Sequence, residues 1–253
     1  MLGTDPLARS LEAQFREVSG IRPVGWSEFR PGLFAGVTTA PIPALNGVIV
    51  FDPTRADLDY VHEAMDRVAA EGYPHALTVR GAGMPQINEL AARLGLLADD
   101  DIRVMTLERP ADLTPDLPPG LSIRRLDREH APEHFELTEE IFAMPEGSMA
   151  VMCPADALAL AWVNAYIGEV EGEVVCTAMS YMTEGVVWIY DVGTLDEHRG
   201  RGYGGAITAH AIAHAASDGA QLAALQTSED GFPVYRRLGF ELVESWTLWT
   251  SSG

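Results

Sequence analysis

The chain has 253 residues, 47% of them hydrophobic, and carries 17 basic against 37 acidic side chains for a formal net charge of −20. That length allows one large domain or two of about 100–150 residues, and the charge disfavours nucleic acid, which would be repelled rather than steered in. No apolar run reaches the ~18 residues of a membrane span, the amino terminus lacks a secretory apolar stretch, and Cys153 and Cys176 form neither a disulfide framework nor a zinc knuckle, so a soluble cytoplasmic protein is expected.

In the first half, DLDYVHEAMDRVAAEG (57–72) predicts an amphipathic helix and HALTVR (75–80) a strand. INELAARLGLLADDDIRVMTLER (87–109) predicts a helix, a Leu-Gly stop and a further strand. The segment 108–120, with Pro110, Pro115, Pro118 and Pro119, reads as an extended linker dividing the chain near residue 115. Beyond it, LSIRRL (121–126) alternates as a strand and APEHFELTEEIF (131–142) has helical spacing, with a second short helix after Pro154. Three strands follow up to Leu195, separated by the turn pairs Glu171-Gly172 and Glu184-Gly185. GAITAHAIAHAASDG (205–219) predicts a helix, AQLAALQTS (220–228) a buried strand, FPVYRRLG (232–239) a short helix and FELVESWTLWT (240–250) a final strand. The sum is mixed α/β: an antiparallel meander leading into a strand–helix–strand unit. The two halves echo each other, with Leu94-Gly95 falling on Leu238-Gly239 and Ala91 on Tyr235, so a duplicated fold is expected with divisions at 1–110, 111–120 and 121–253.

The stretch EHRGRGYGGA (197–206) lies between a strand and a helix. Glycines there let backbone amides approach a ligand, and the helix start adds partial positive charge, both suited to a phosphate. Gly200, Gly202 and Gly205 spell the dinucleotide fingerprint, but TLDEHR separates the strand from the first glycine and too little chain remains for a doubly wound sheet. Arg199-Gly200-Arg201-Gly202-Tyr203-Gly204 instead matches the Q/R-x-x-G-x-G/A signature of the GCN5-related N-acetyltransferase (GNAT) family. VGTLDEHRGRGYGGAITAHAIAHAASDGA (192–220) and LQTSEDGFPVYRRLGF (225–240) extend the resemblance over roughly residues 120–250, and the first half resembles a degenerate second copy.

The resemblance implies a mostly antiparallel sheet splayed between its fourth and fifth strands, with helices on both faces. It implies acetyl-CoA as cosubstrate, with amides from Arg199 to Gly204 on the pyrophosphate and Val192 and Thr194 along the pantetheine arm. The Val192 N–H would stabilise the oxyanion. Tyr235 would protonate the departing thiolate, and Ser228 stands where an asparagine often contacts the arm. The acceptor would be a small amine, attracted if cationic by the acidic chain; a peptide amine, or a non-catalytic acyl-CoA-binding module, are the rival readings. A homodimer is compatible; no membrane, nucleic acid or metal is expected.

No base is assigned. Where the family often has Glu or His, this chain has Tyr190 and Trp188, and strand alternation turns Asp191 to the opposite face; Glu139, Glu140 or a water chain are alternatives. His210 and His214 read as an exposed helix face, the two cysteines as packing residues, and Trp188, Tyr190, Trp246 and Trp249 as core or cleft walls.

Overall fold

The computed structural model describes residues 5–21, 25–81, 85–99 and 101–251. Helix α1 (Pro6–Ile21) starts where the Asp5 carboxylate accepts from the amides of Leu7 and Ala8 at 3.1 and 3.2 Å. Strands β1 (Trp26–Arg30), β2 (Leu33–Val37) and β3 (Asn46–Val50) precede α2 (Leu58–Ala70), which Asp57 caps in the same way. Then come β4 (Ala76–Arg80), α3 (Pro85–Arg93), the two-residue β5 (Leu97–Ala98) and β6 (Ile102–Glu108). The second half holds β7 (Leu121–Leu126), α4 (Ala131–Ile141), α5 (Ser148–Met152), β8 (Val163–Val170), β9 (Glu173–Thr183) and β10 (Val186–Thr194). It closes with α6 (Tyr203–Ser217), β11 (Leu222–Thr227), α7 (Phe232–Arg237) and β12 (Glu241–Thr250).

Two compact units are present, one of Leu11–Arg103 with Glu244–Gly253, the other of Met1–Ser10 with Val104–Val243. Most of each half's last strand therefore belongs to the other half's unit. In the first unit β1–β2–β3–β4 pair in order, β3 and β4 in parallel, and Trp246–Thr250 of β12 run antiparallel to β4. Its core gathers Leu33, Val50, Met65, Leu77, Leu90 and Trp249.

In the second unit the strand order is β7–β8–β9–β10–β11–β6. The pairs from β7 to β10 are antiparallel, and β10–β11 is parallel. Glu171 and Glu184 sit at φ +54° and +52°, as the two-residue turns of tight hairpins require. The α6 side chains Ile207, Ala211 and Ile212 join one cluster with Val187, Ile189, Val175 and Ala178, whereas α4 packs on the opposite face, where His134 bonds Thr177.

Two local readings are corrected, whereas the short helix expected after Pro154 is present as the 3-10 helix Ala155–Ala159. The proline-rich segment is not wholly extended: Pro110–Asp112 form a 3-10 turn with Pro110 buried. His210 and His214 are half-buried rather than exposed, since the Tyr166 ring packs edge-on against both and its hydroxyl lies 2.6 Å from His214 Nδ1.

The Leu-Gly stops, by contrast, close identically. Phe240 N–H donates to Tyr235 O at 3.0 Å, as Leu96 N–H donates to Ala91 O at 3.0 Å. Ala91 thus takes the place of Tyr235 in local geometry as well as in sequence. Among the described residues no helix is long and apolar enough to cross a membrane.

Candidate active site

The parallel pairing of β10 with β11 covers only Val186–Ile189 against Leu222–Leu225, and beyond it the strands part. On its other edge β10 continues to pair with β9, but irregularly: Tyr190 faces Met179 and Gly193 faces Thr177. Asp191 and Val192 together therefore oppose the single residue Ala178, a β-bulge, with Asp191 at φ +53°. A non-glycine residue in that region costs on the order of 1–2 kcal/mol, strain of the kind held at functional sites. Sheet splay and bulge coincide.

The glycine-rich loop crosses this opening. Gly202, at φ +84°, precedes α6 as its N-cap and supplies no side-chain oxygen, so the first turn of the helix has no side-chain cap. A left-handed cap demands glycine here; the result is a helix start whose amides face outward. A Cβ on Gly204 would lie 3.6 Å from Thr194 Oγ1 and 3.9 Å from Val192 Cγ1, so that first turn rests on the end of β10. Arg199 folds back, donating from Nε to Thr194 O at 3.2 Å and pairing with Asp196 at 2.9 Å. Arg201 donates to Glu197 O at 3.2 Å. Both are exposed, and they brace the loop as well as lending it charge.

Tyr235 sits in α7, 8% exposed, its ring 5.9 Å from Phe240 in an edge-on arrangement. Ser228 Oγ accepts from Gly231 N–H at 3.2 Å and thereby starts that helix. Burial pushes the Tyr235 phenol from 10.0 up to about 12, and Tyr166 likewise to about 12. Between about pH 10 and pH 12 the folded chain then holds protons that the unfolded chain has released. The stability gained by burying neutral phenols is complete below about pH 10 and declines as pH rises towards 12. Each phenol should cost up to about 3 kcal/mol by then, so urea midpoints should fall steeply over that range, and a midpoint flat to pH 12 would contradict it.

Sequence reasoning missed a buried group beside the bulge. His134, on α4, is 0% exposed; its Nδ1 is hydrogen-bonded to Thr177 Oγ1, and its Nε2 lies 3.5 Å from Asp191 Oδ2 with no hydrogen bond. Thr177 shares a face with Met179 and hence with Tyr190 and Trp188, so Asp191 turns to that face and not to the opposite one. The bulge is the reason, because one extra residue resets the alternation. Tyr190 stacks on Trp188 with ring centres 6.3 Å apart and meets Tyr181 edge-on at 5.4 Å. Burial and the Asp191 charge raise both phenols, so they stand as neutral donors. Trp188 is fully buried and lines nothing accessible. Of the alternative bases, Glu139 accepts from the amides of Gly147 and Met149 at 3.0 and 2.8 Å and holds the turn before α5, and Glu140 is exposed. No group of three or more metal-ligating side chains occurs among the described residues.

A mixed α/β sheet that splays past a bulge, with an uncapped glycine-rich helix start at the mouth, is the GNAT-like fold. Residues 122–243 match the family model described as an acetyltransferase (GNAT) domain. The fold is similar to that of a GCN5-related N-acetyltransferase from Kribbella flavida, with a TM-score of 0.73 and 21% identity, covering 100% of this chain and 97% of that one. It is also similar to a GCN5-related N-acetyltransferase from Sphaerobacter thermophilus, with a TM-score of 0.63 and 18% identity over 97% of this chain and 91% of that one. A tandem GNAT protein from the clavulanic acid biosynthesis pathway aligns at a TM-score of 0.55 and 17% identity, over 87% of this chain and 78% of that one. No curated protein sequence matches the chain.

Proposed function

We propose that the second half transfers an acetyl group from acetyl-CoA to the amine of a small molecule by direct attack on the thioester. The observation that carries this reading is the uncapped start of α6 resting against the end of β10 where β10 and β11 part. Amides from Arg199 to Gly204 hold the pyrophosphate, the edge of β10 at Val192 and Thr194 pairs with the pantetheine arm, and the Val192 N–H faces the thioester oxygen. Tyr235 supplies the proton to the sulfur, and Ser228 lies along the arm. The first half, with Ala91 in the tyrosine's place, is a degenerate copy without a proton donor for a thiolate.

Calorimetry with CoA and thiol release from acetyl-CoA over an amine panel test this. Gly202→Ala should weaken CoA binding about tenfold, because the ~1–2 kcal/mol cost of left-handed alanine displaces the amides it positions. Native protein that gives no heat with CoA would end the proposal, and tight CoA binding without turnover would replace it with a non-catalytic acyl-CoA-binding module.

A further inference from the structure

Burying an imidazole completely requires partners for both ring nitrogens, or a charge nearby. His134 has Thr177 on Nδ1 and only the Asp191 carboxylate, at 3.5 Å, before Nε2. Thr177 Oγ1 also lies 3.3 Å from Tyr166 O, so it has two acceptors for one proton. When the hydroxyl proton goes to Nδ1, the neutral ring carries its own proton on Nε2, on the side of Asp191 Oδ2. The carboxylate itself is 18% exposed and sits one residue before Val192, on the aromatic face of the bulge. The titratable groups around it are His134 from α4, Tyr181 from β9, Tyr190 of β10 itself and, next to Tyr181, Cys153.

We infer that Asp191 is the proton acceptor for the attacking amine, and that His134 is the positioning residue that orients its carboxylate; this rests on the acetyl transfer proposed above. An ammonium acceptor gives one proton to Asp191, and the nitrogen lone pair so exposed forms the N–C bond. The C–S bond breaks, the thiolate takes a proton from Tyr235, and one of the two protons left on nitrogen restores the phenol, the other staying on the amide. Asp191 passes its proton to solvent, so acyl-CoA and ammonium become amide, free thiol and one proton. The substrate class follows: a primary ammonium that enters charged and must lose that charge beside the bulge.

The test compares native protein, D191N and H134Q in kcat/KM across pH, with a primary alkylamine and with an aniline that is neutral at pH 7. D191N should lose about 100-fold or more with the alkylamine near neutrality, the deficit shrinking as pH approaches that amine's own pKa and staying below about tenfold with the aniline. H134Q should shift the acid limb of the profile with little change in KM. D191N within a few-fold of native at every pH, with CoA binding intact, would overturn the base and leave the proposed function standing. If native protein binds no CoA, the proposed function fails first. Nitrogen NMR of the His134 ring then decides the pair: an Nε2–H signal that D191N moves supports it, and a signal indifferent to D191N refutes it. Should D191N not fold, D191E takes its place in both measurements: lowered alkylamine turnover together with a displaced ring signal supports the pair, and native turnover with an unmoved signal refutes it.

Discussion

Replacing Tyr235 by Phe should lower kcat for acetyl transfer about 100-fold while leaving the CoA dissociation constant within about twofold. Phenylalanine keeps the edge-on contact with Phe240 and the packing of a residue 8% exposed, so the fold loses only a hydroxyl. In the proposed reaction the hydroxyl is the proton source, and general acids of this kind contribute roughly 10²–10⁴-fold. A phenol pushed up to about 12 keeps its proton throughout the neutral range. It therefore meets the departing thiolate as a neutral donor. Pre-steady-state thiol release checks it: a burst equal to native in Tyr235→Phe would mean that solvent protonates the sulfur. Tyr235→Ala is the less informative variant, since emptying that site costs about 3–5 kcal/mol of stability.

The second large effect is expected at Gly193. A Cβ there would lie 2.5 Å from Ile141 Cγ2 and 3.3 Å from both Ile141 Cδ1 and Phe142 Cε2. Carbon atoms cannot approach to 2.5 Å, so Gly193→Val must push the end of α4 off β10, at roughly 1–3 kcal/mol as an overpacking change. The same helix carries His134, so displacement also disturbs the contact with Asp191. The variant should show a lower urea midpoint and at least a tenfold lower kcat. Combining it with Ile141→Ala should recover about 1 kcal/mol or more, because the clash is with that one side chain. A double-mutant cycle with no coupling would show that α4 does not rest on the bulge.

Much of this architecture is written locally. The turn pairs at Glu171 and Glu184, the Leu-Gly stops and the glycine loop each depend on residues a few positions apart, so the meander, α6, α7 and the loop are legible without a structure. The first half spoke less clearly: α1 and β1 to β3 carry signals too weak to read alone, and they gain definition only by pairing. The chemistry beside the loop is different again. His134 and Thr177 lie 43 positions apart, and the turn of Asp191 towards them depends on one unpaired residue in the register of two strands. Alternation, a local rule, aims Asp191 the other way. The trading of terminal strands between halves is likewise set by pairing over more than a hundred positions. Short-range chemistry thus determined where the glycine-rich loop proposed to hold a phosphate would be. Long-range packing alone decided that the Asp191 carboxylate stands before His134, because register and burial are properties of neighbouring strands and not of any one segment.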